Sequence, residues 1–260
     1  GTGAAAVLAS GALDDAKAIF GAHVDRRFVV GQVVAQAGPL AAAADTFEIV
    51  LAGHGAHGAR PHESADPIVC AAAIISALQT IVARRVDPAT PAVVTVATMR
   101  GGSARNVIPD RATLGGTLRA VDPATRALLG NAVRQLTEGI AAAYGITATV
   151  TLTLGPPPIV NPDGPAAWAR LAVASVLGAD ALVPLGITNM AGEDFAHYME
   201  RIPGCFMRVG ARMPDEPVIP AHTPQFHAAE GSLFVGAAVL AEAARVASAA
   251  LAGDRSGARP

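Results

Sequence analysis

The spacing of hydrophobic and polar positions changes several times along the 260 residues, and each change predicts an element. Thr46 to Ala52 alternates apolar and polar residues, as a strand with one buried face does. Asp66-Pro67 then opens a helix, with proline in the first turn, and an apolar face runs from Ile68 to Val82. Pro91 to Thr98 and Ala112 to Arg119 read as two strands, joined by a loop that holds Gly101-Gly102 and Asn106-Val107-Ile108-Pro109. Asp122-Pro123 begins a second helix that ends near Gly145, and Thr147 to Leu154 is a further strand. The order strand, helix, strand, strand, helix, strand is that of a ferredoxin-like βαββαβ unit. Gly155 and the prolines at 156 to 158 make a stiff boundary after it, since consecutive prolines restrict the backbone and donate nothing to a sheet.

The flanks have a different character. Gly1 to Leu13 reads as a helix with no strand before it, which argues against a dinucleotide-binding loop at Gly1-Thr2-Gly3. Ala18 to Val24 and Val29 to Val34 read as two buried strands, and Gly38-Pro39 with the alanines after it as a connector. Beyond the prolines come a helix near Ala166 to Leu177, a short Val183-Pro184-Leu185 segment, a strand at Cys205 to Val209 and an alanine-rich helix from Leu233 to Leu251. The expected organisation is an α/β domain formed by residues 1–43 and 156–260, interrupted by the small domain at 44–155.

Composition narrows the function classes. Hydrophobic residues make up 52% of the chain, enough to fill a sizeable core. Nineteen basic residues against 21 acidic ones leave no field to draw in nucleic acid or an anionic membrane, so neither is expected as a partner. No uninterrupted apolar run approaches the roughly 20 residues of a membrane-spanning helix. With no basic region at the N-terminus to suggest a signal peptide, a cytoplasmic protein is expected. Cys70 and Cys205 lie in apolar surroundings and read as buried free thiols.

The candidate chemistry rests mainly on histidines, which bind metals and exchange protons near pH 7. His23 ends an apolar run, where a buried strand would leave an open sheet, the usual position of ligands in such folds. His222 stands between Pro220 and Pro224, whose restricted backbone helps to hold a ring in place. His227 follows it and reads as a surface or supporting residue. His54, His57 and His62 share a glycine-containing loop that lacks the further ligands of a structural zinc site. That loop leaves His57 free to act on something outside its own domain. Asn106 and Arg119 are expected beside His57, offering an amide and a fork of N–H donors suited to a carboxylate; a loop cap and a surface arginine are the alternative. Glu193-Asp194 stands at the expected start of a helix, where capping alone accounts for acids.

Six stretches occur together in one order: Ile19 to Asp25, Gly53 to Pro67, Asn106 to Asp110, Gly116 to Arg119, Gly192 to Phe195 and His222 to Phe226. With the small domain inserted among them, the chain resembles the aminoacylase, hippurate hydrolase and indole-acetyl-amino-acid hydrolase group of the M20 peptidase family. One departure is Gly55-Ala56-His57-Gly58, where that group usually has Gly-Gly-His-Ala.

The resemblance implies a zinc-hydrolase α/β sandwich with an inserted ferredoxin-like lid and dimerisation domain. It implies two Zn2+ ions per complete site, with Mn2+ or Co2+ as alternatives, and His23 and His222 among their ligands. It further implies that His57 stabilises the oxyanion in the partner subunit of a homodimer. Asn106 and Arg119 would hold the carboxylate of an N-acyl amino acid, and Glu193 would lie near the pocket. The family's Glu-Glu pair would stand immediately before Gly1, and no Cys-Gly-His-Asp segment occurs in the chain. Two histidines do not complete a catalytic zinc site, so the 260 residues alone are expected to be inactive. A non-catalytic dimerisation or ligand-binding module, and a dipeptidase of the same chemistry, are the rival expectations.

Overall fold

The computed structural model describes residues 3–257. The chain forms two compact units, one of Gly1–Leu40, Ile159–Thr188 and Asp194–Pro260, the other of Ala41–Pro158 and Asn189–Glu193. The first unit opens with helix α1 (Gly3–Ala9), shorter than the helix expected from Gly1 to Leu13, of which Gly1 and Thr2 lie outside the described residues.

Strand β1 (Ile19–Val29) is one continuous strand where two were expected, and only Val33–Val34 forms β2. The charged run Asp25-Arg26-Arg27 does not end β1, because each of these side chains has a partner. Asp25 pairs with Arg27 at 2.7 Å, and Arg26 reaches the carboxylate of Glu216 at 2.9 Å. The expected connector at Gly38-Pro39 is instead strand β3 (Gly38–Ala41), one member of a two-stranded sheet. An edge position tolerates a proline, which has no N–H for the ladder.

The second unit begins with β4 (Ala43–Ala52) and a two-residue strand β5 (Ala56–His57), followed by helix α2 (Pro67–Arg85). Strands β6 (Ala92–Gly101), β7 (Val107–Ile108) and β8 (Arg111–Ala120), helix α3 (Pro123–Ala143) and β9 (Thr147–Thr153) complete it. The main sheet has the order β6-β8-β4-β9 with every neighbour antiparallel, the order of a split βαβ unit.

Alternation places Phe47, Ile49 and Leu51 of β4 in one core with Leu114 and Leu118 of β8 and with Ile74, Leu78 and Ile81 of α2. Both helices start on an aspartate cap. Asp66 Oδ1 accepts from the Ile68 amide at 2.8 Å, and Asp122 Oδ1 accepts from the Thr125 amide at 2.8 Å.

The chain returns to the first unit through β10 (Ile159–Asn161), α4 (Asp163–Leu177), a short helix α5 (Ala196–Met199), β11 (Gly204–Arg212) and α6 (Gly231–Gly257). Strand β11 lies between β1, which is parallel to it, and β2, which is antiparallel. Buried Asn161 acts as a side-chain rung, donating to the carbonyl of Phe206 at 2.8 Å and accepting its amide at 2.9 Å. Helix α2 and the stretch Gly231–Gly253 are long and apolar enough to cross a membrane, although no run in the sequence had suggested it. In α2 that apolarity supplies the core of its unit, through Ile74, Leu78 and Ile81.

Candidate functional site

Each unit carries one group of candidate residues. In the second unit, β5 and β7 extend the β4–β8 ladder beyond the sheet as a narrow antiparallel ribbon, with His57 opposite Val107 and Ala56 opposite Ile108. The Gly53 amide donates to Asp110 at 2.8 Å and the Gly58 amide to Asn106 at 2.8 Å, so the register slips by one residue between these rungs. The extra residue falls at His54 and Gly55, a bulge of the kind that re-aims side chains next to functional sites. His54 pairs there with Ala65 instead. Gly55 is required at this point, because a Cβ would stand 2.7 Å from the Ile108 carbonyl oxygen.

The ribbon presents His57, Asn106 and His54 exposed. Beside it lies a cavity of 810 Å³ whose lining includes His54, His57, Ser103, Asp110 and Arg111. The backbone amide of Ala59 donates to Nδ1 of His57 at 3.1 Å. Because an amide only donates, Nδ1 is the acceptor and the ring proton of neutral His57 sits on Nε2. His57 is therefore a donor aimed away from its own loop.

Arg119 is not beside His57, contrary to expectation. It pairs with Ala44 of β4 and Val93 of β6, eight residues along β8 from Arg111, which adjoins the ribbon. At about 3.4 Å per residue that is roughly 27 Å. The sequence pattern had joined the two through the loop before β8 and had not accounted for the length of the strand. Glu193 is half-buried just after Gly192, and it does not start a helix, since α5 begins only at Ala196. Its neighbour Asp194 caps a different helix, its Oδ2 accepting from the Ala4 amide of α1 at 3.2 Å.

In the first unit, His23 lies within β1 and not at its exit, in register with Arg208 of β11. Its Nδ1 is 2.7 Å from the carbonyl oxygen of Val24. A carbonyl only accepts, so this nitrogen carries the proton and the lone pair is on Nε2. That is how ligating histidines are commonly held, with the far nitrogen on a carbonyl.

Gly21, on the same sheet face two residues earlier, makes room for the ring of Phe195, which a Cβ would meet at 2.5 Å. Phe195 packs in turn against Phe206, tilted, and edge-on against Tyr198, at 5.0 and 5.5 Å between ring centres. Burial raises the Asp25 carboxyl, but hydrogen bonds from Arg27 and the charges of Arg27 and Arg208 outweigh it and hold the group below its ordinary value.

His222 is exposed and is the single non-glycine residue with positive φ among the described residues, at 64°. Such strain at a candidate ligand is common in functional loops. Among the described residues no three His, Cys, Asp or Glu side chains gather as a metal cage. The cysteines are not candidates for nucleophilic catalysis. Both are buried, and burial pushes the Cys205 thiol up to about 12.

Sequence reasoning missed one group. Arg26, buried on β1, donates to Glu216 at 2.9 Å, and Glu216 meets His227 at 3.2 Å. An arginine beside a candidate ligand was legible in the sequence, but its burial was not.

Residues 43–144 match the peptidase dimerisation domain of the M20 family. The chain contains an M20 peptidase dimerisation domain. Around that domain the similarity extends over most of the 260 residues. The chain is 41% identical over 210 residues to the N-acetyl-L-cysteine deacetylase of Bacillus subtilis (strain 168), covering 81% of this chain and 50% of that protein. It is 37% identical to IAA-amino acid hydrolase ILR1-like 2 of Arabidopsis thaliana, over 94% of this chain and 56% of that protein.

Among solved structures it is similar to the YXEP protein of Bacillus subtilis, described as a dinuclear metal-binding peptidase of the M20 family. The TM-score is 0.76 at 33% identity, covering 93% of this chain and 60% of that one. The chain thus spans about half the length of the curated relatives it matches.

Proposed function

We propose that the complete protein is a metal-dependent amidohydrolase that cleaves the amide bond of N-acyl amino acids. The observation that carries this reading is that His23 and His57 are held in opposite tautomers. His23 offers a lone pair on Nε2, as a metal ligand must, and His57 offers a proton on Nε2, as an oxyanion donor must.

On this reading residues 1–43 and 156–260 belong to a zinc-hydrolase α/β sandwich, and 44–155 is an inserted lid and dimerisation domain. His23 and His222 hold metal, Zn2+ by preference, with Mn2+ and Co2+ as alternatives. When bound, the metal supplies an acidified water and polarises the amide carbonyl. Two imidazoles do not complete such a centre, so the remaining ligands and the general base are assigned to parts of the complete enzyme outside these 260 residues. The 260-residue chain by itself would then not turn over substrate.

His57 donates from Nε2 to the oxygen that gains charge as the amide carbon becomes tetrahedral. Asn106, on the same ribbon, and Arg119 bind the substrate carboxylate, and Glu193 lines the pocket without an assigned step. A single carboxylate cannot span the roughly 27 Å along β8. Asn106 and Arg119 therefore serve one substrate only if they come from different subunits, with His57 and Asn106 reaching into the site of the partner.

The test is metal content and hydrolysis of N-acetyl and N-benzoyl amino acids by the complete enzyme. Turnover that a chelator abolishes, and that His23→Ala removes together with bound metal, is expected. Full metal binding and turnover in His23→Ala would refute the assignment.

A further inference from the structure

Between β11 and α6 the chain runs from Met213 to Glu230 without a helix or strand, and this segment carries His222. An irregular loop of that length normally leaves its residues mobile, yet here it is tied down at both sides of the histidine by one side chain. Arg26 of β1, with its side chain 1% exposed, donates from Nη2 to Glu216 Oε2 at 2.9 Å and to the Pro217 carbonyl at 3.1 Å. Its Nη1 donates to the carbonyl of His227 at 2.7 Å.

Glu216 Oε1 closes the circuit on His227 Nε2 at 3.2 Å, and Arg212 adds a bond to the carbonyl of Glu216 at 2.9 Å. The part of the loop between Pro217 and His227 is thereby closed at its ends. Closure removes conformations that would otherwise be lost only when His222 is fixed on a ligand.

Two further observations give the tie more than a packing role. His222 holds a positive φ of 64°, and strained residues persist where the surroundings over-determine them. In addition, Nε of Arg26 is buried without a hydrogen-bond partner among the described residues. A partly satisfied buried guanidinium is a poor choice for stability alone.

We infer that Arg26 is a positioning residue: through Glu216, Pro217 and His227 it presets the loop that brings His222 to the metal. This rests on the proposed reading of His222 as a ligand. The Arg26 guanidinium donates to the loop, at Glu216, Pro217 and His227, so it acts through the loop and not on the metal.

The test uses the complete enzyme with Arg26→Met, with Glu216→Gln as a milder variant that keeps the shape of the side chain, and with His222→Ala as reference. Three quantities are read: amide exchange across 213–230, the dissociation constant for Co2+, and the visible spectrum of the cobalt form at saturation. For Arg26→Met we expect exchange in the loop at least about tenfold faster, Co2+ affinity about 10–100-fold weaker, as for other outer partners of ligands, and an altered spectrum. Glu216→Gln should move the same readouts less, and His222→Ala should weaken cobalt binding without loosening the loop ends.

Unchanged loop exchange in Arg26→Met and Glu216→Gln overturns the tie. A looser loop with unchanged cobalt affinity and spectrum, while His222→Ala weakens binding, overturns the positioning role and leaves the metal reading intact. If His222→Ala binds cobalt as the wild type does, the metal reading itself fails, and this inference falls with it.

Discussion

His57 and His222 are both exposed, yet they are held by different means. His57 sits on a ribbon whose rungs are backbone hydrogen bonds continuous with the main sheet of its unit. His222 sits in an irregular loop whose ends are held by the side chains of Arg26, Arg212, Glu216 and His227. A backbone ladder tolerates side-chain changes nearby, whereas a side-chain clasp fails when one member is replaced. The ribbon should therefore respond mainly to damage in the sheet and core of its unit, and the loop to single polar substitutions far from the histidine.

The largest effects should separate the roles of the two histidines. In the complete enzyme, His222→Ala should weaken metal binding by more than the roughly 10–100-fold typical of an outer partner. His57→Ala should leave metal binding intact and lower kcat by about 10²–10³, the loss typical of one oxyanion donor. Metal titration and steady-state kinetics on both variants check this, and loss of metal in His57→Ala would break the comparison.

Next in size is the core of the second unit. Leu78→Ala removes a fully buried side chain and should destabilise the second unit by about 2–5 kcal/mol in chemical denaturation. It should leave loop 213–230 unaffected in amide exchange. Asp66→Ala, which removes the cap of α2, should cost about 1 kcal/mol by the same assay.

The smallest effect is on the clasp. The hydrogen bond with His227 holds the Glu216 carboxyl below its ordinary value, as do the Met213 amide and the charge of Arg26. A carboxyl lowered in the folded state adds stability above its unfolded pKa and loses it as pH falls through the folded pKa. Exchange in loop 213–230 should therefore rise on acidification below the usual carboxylate range, and Glu216→Gln should flatten that rise.

How much was legible in the sequence follows the same division. The second unit was readable because its alternation and its proline-started helices are local signals, and β4, α2, β8 and α3 lie where the pattern put them. The first unit was less readable. Charges in the middle of β1 imitate a loop until Arg27 and Glu216 are seen to satisfy them, and Pro39 imitates a connector until its edge position is known.

The histidines were legible as residues, but their tautomers were not, since these depend on whether a carbonyl or an amide faces Nδ1. The placement of Arg119 beside His57 failed for a geometric reason. Adjacency along the chain says nothing of which end of a ten-residue strand a side chain occupies.

The central claim is that a donor on one subunit serves the metal site of another. It is tested most directly by mixing two inactive variants of the complete enzyme, His57→Ala and His222→Ala, under conditions of subunit exchange. Random pairing gives half mixed dimers, each with one intact site of two, so activity should return to about a quarter of the wild-type value. Mixed dimers that form and remain as inactive as their parents would contradict the account.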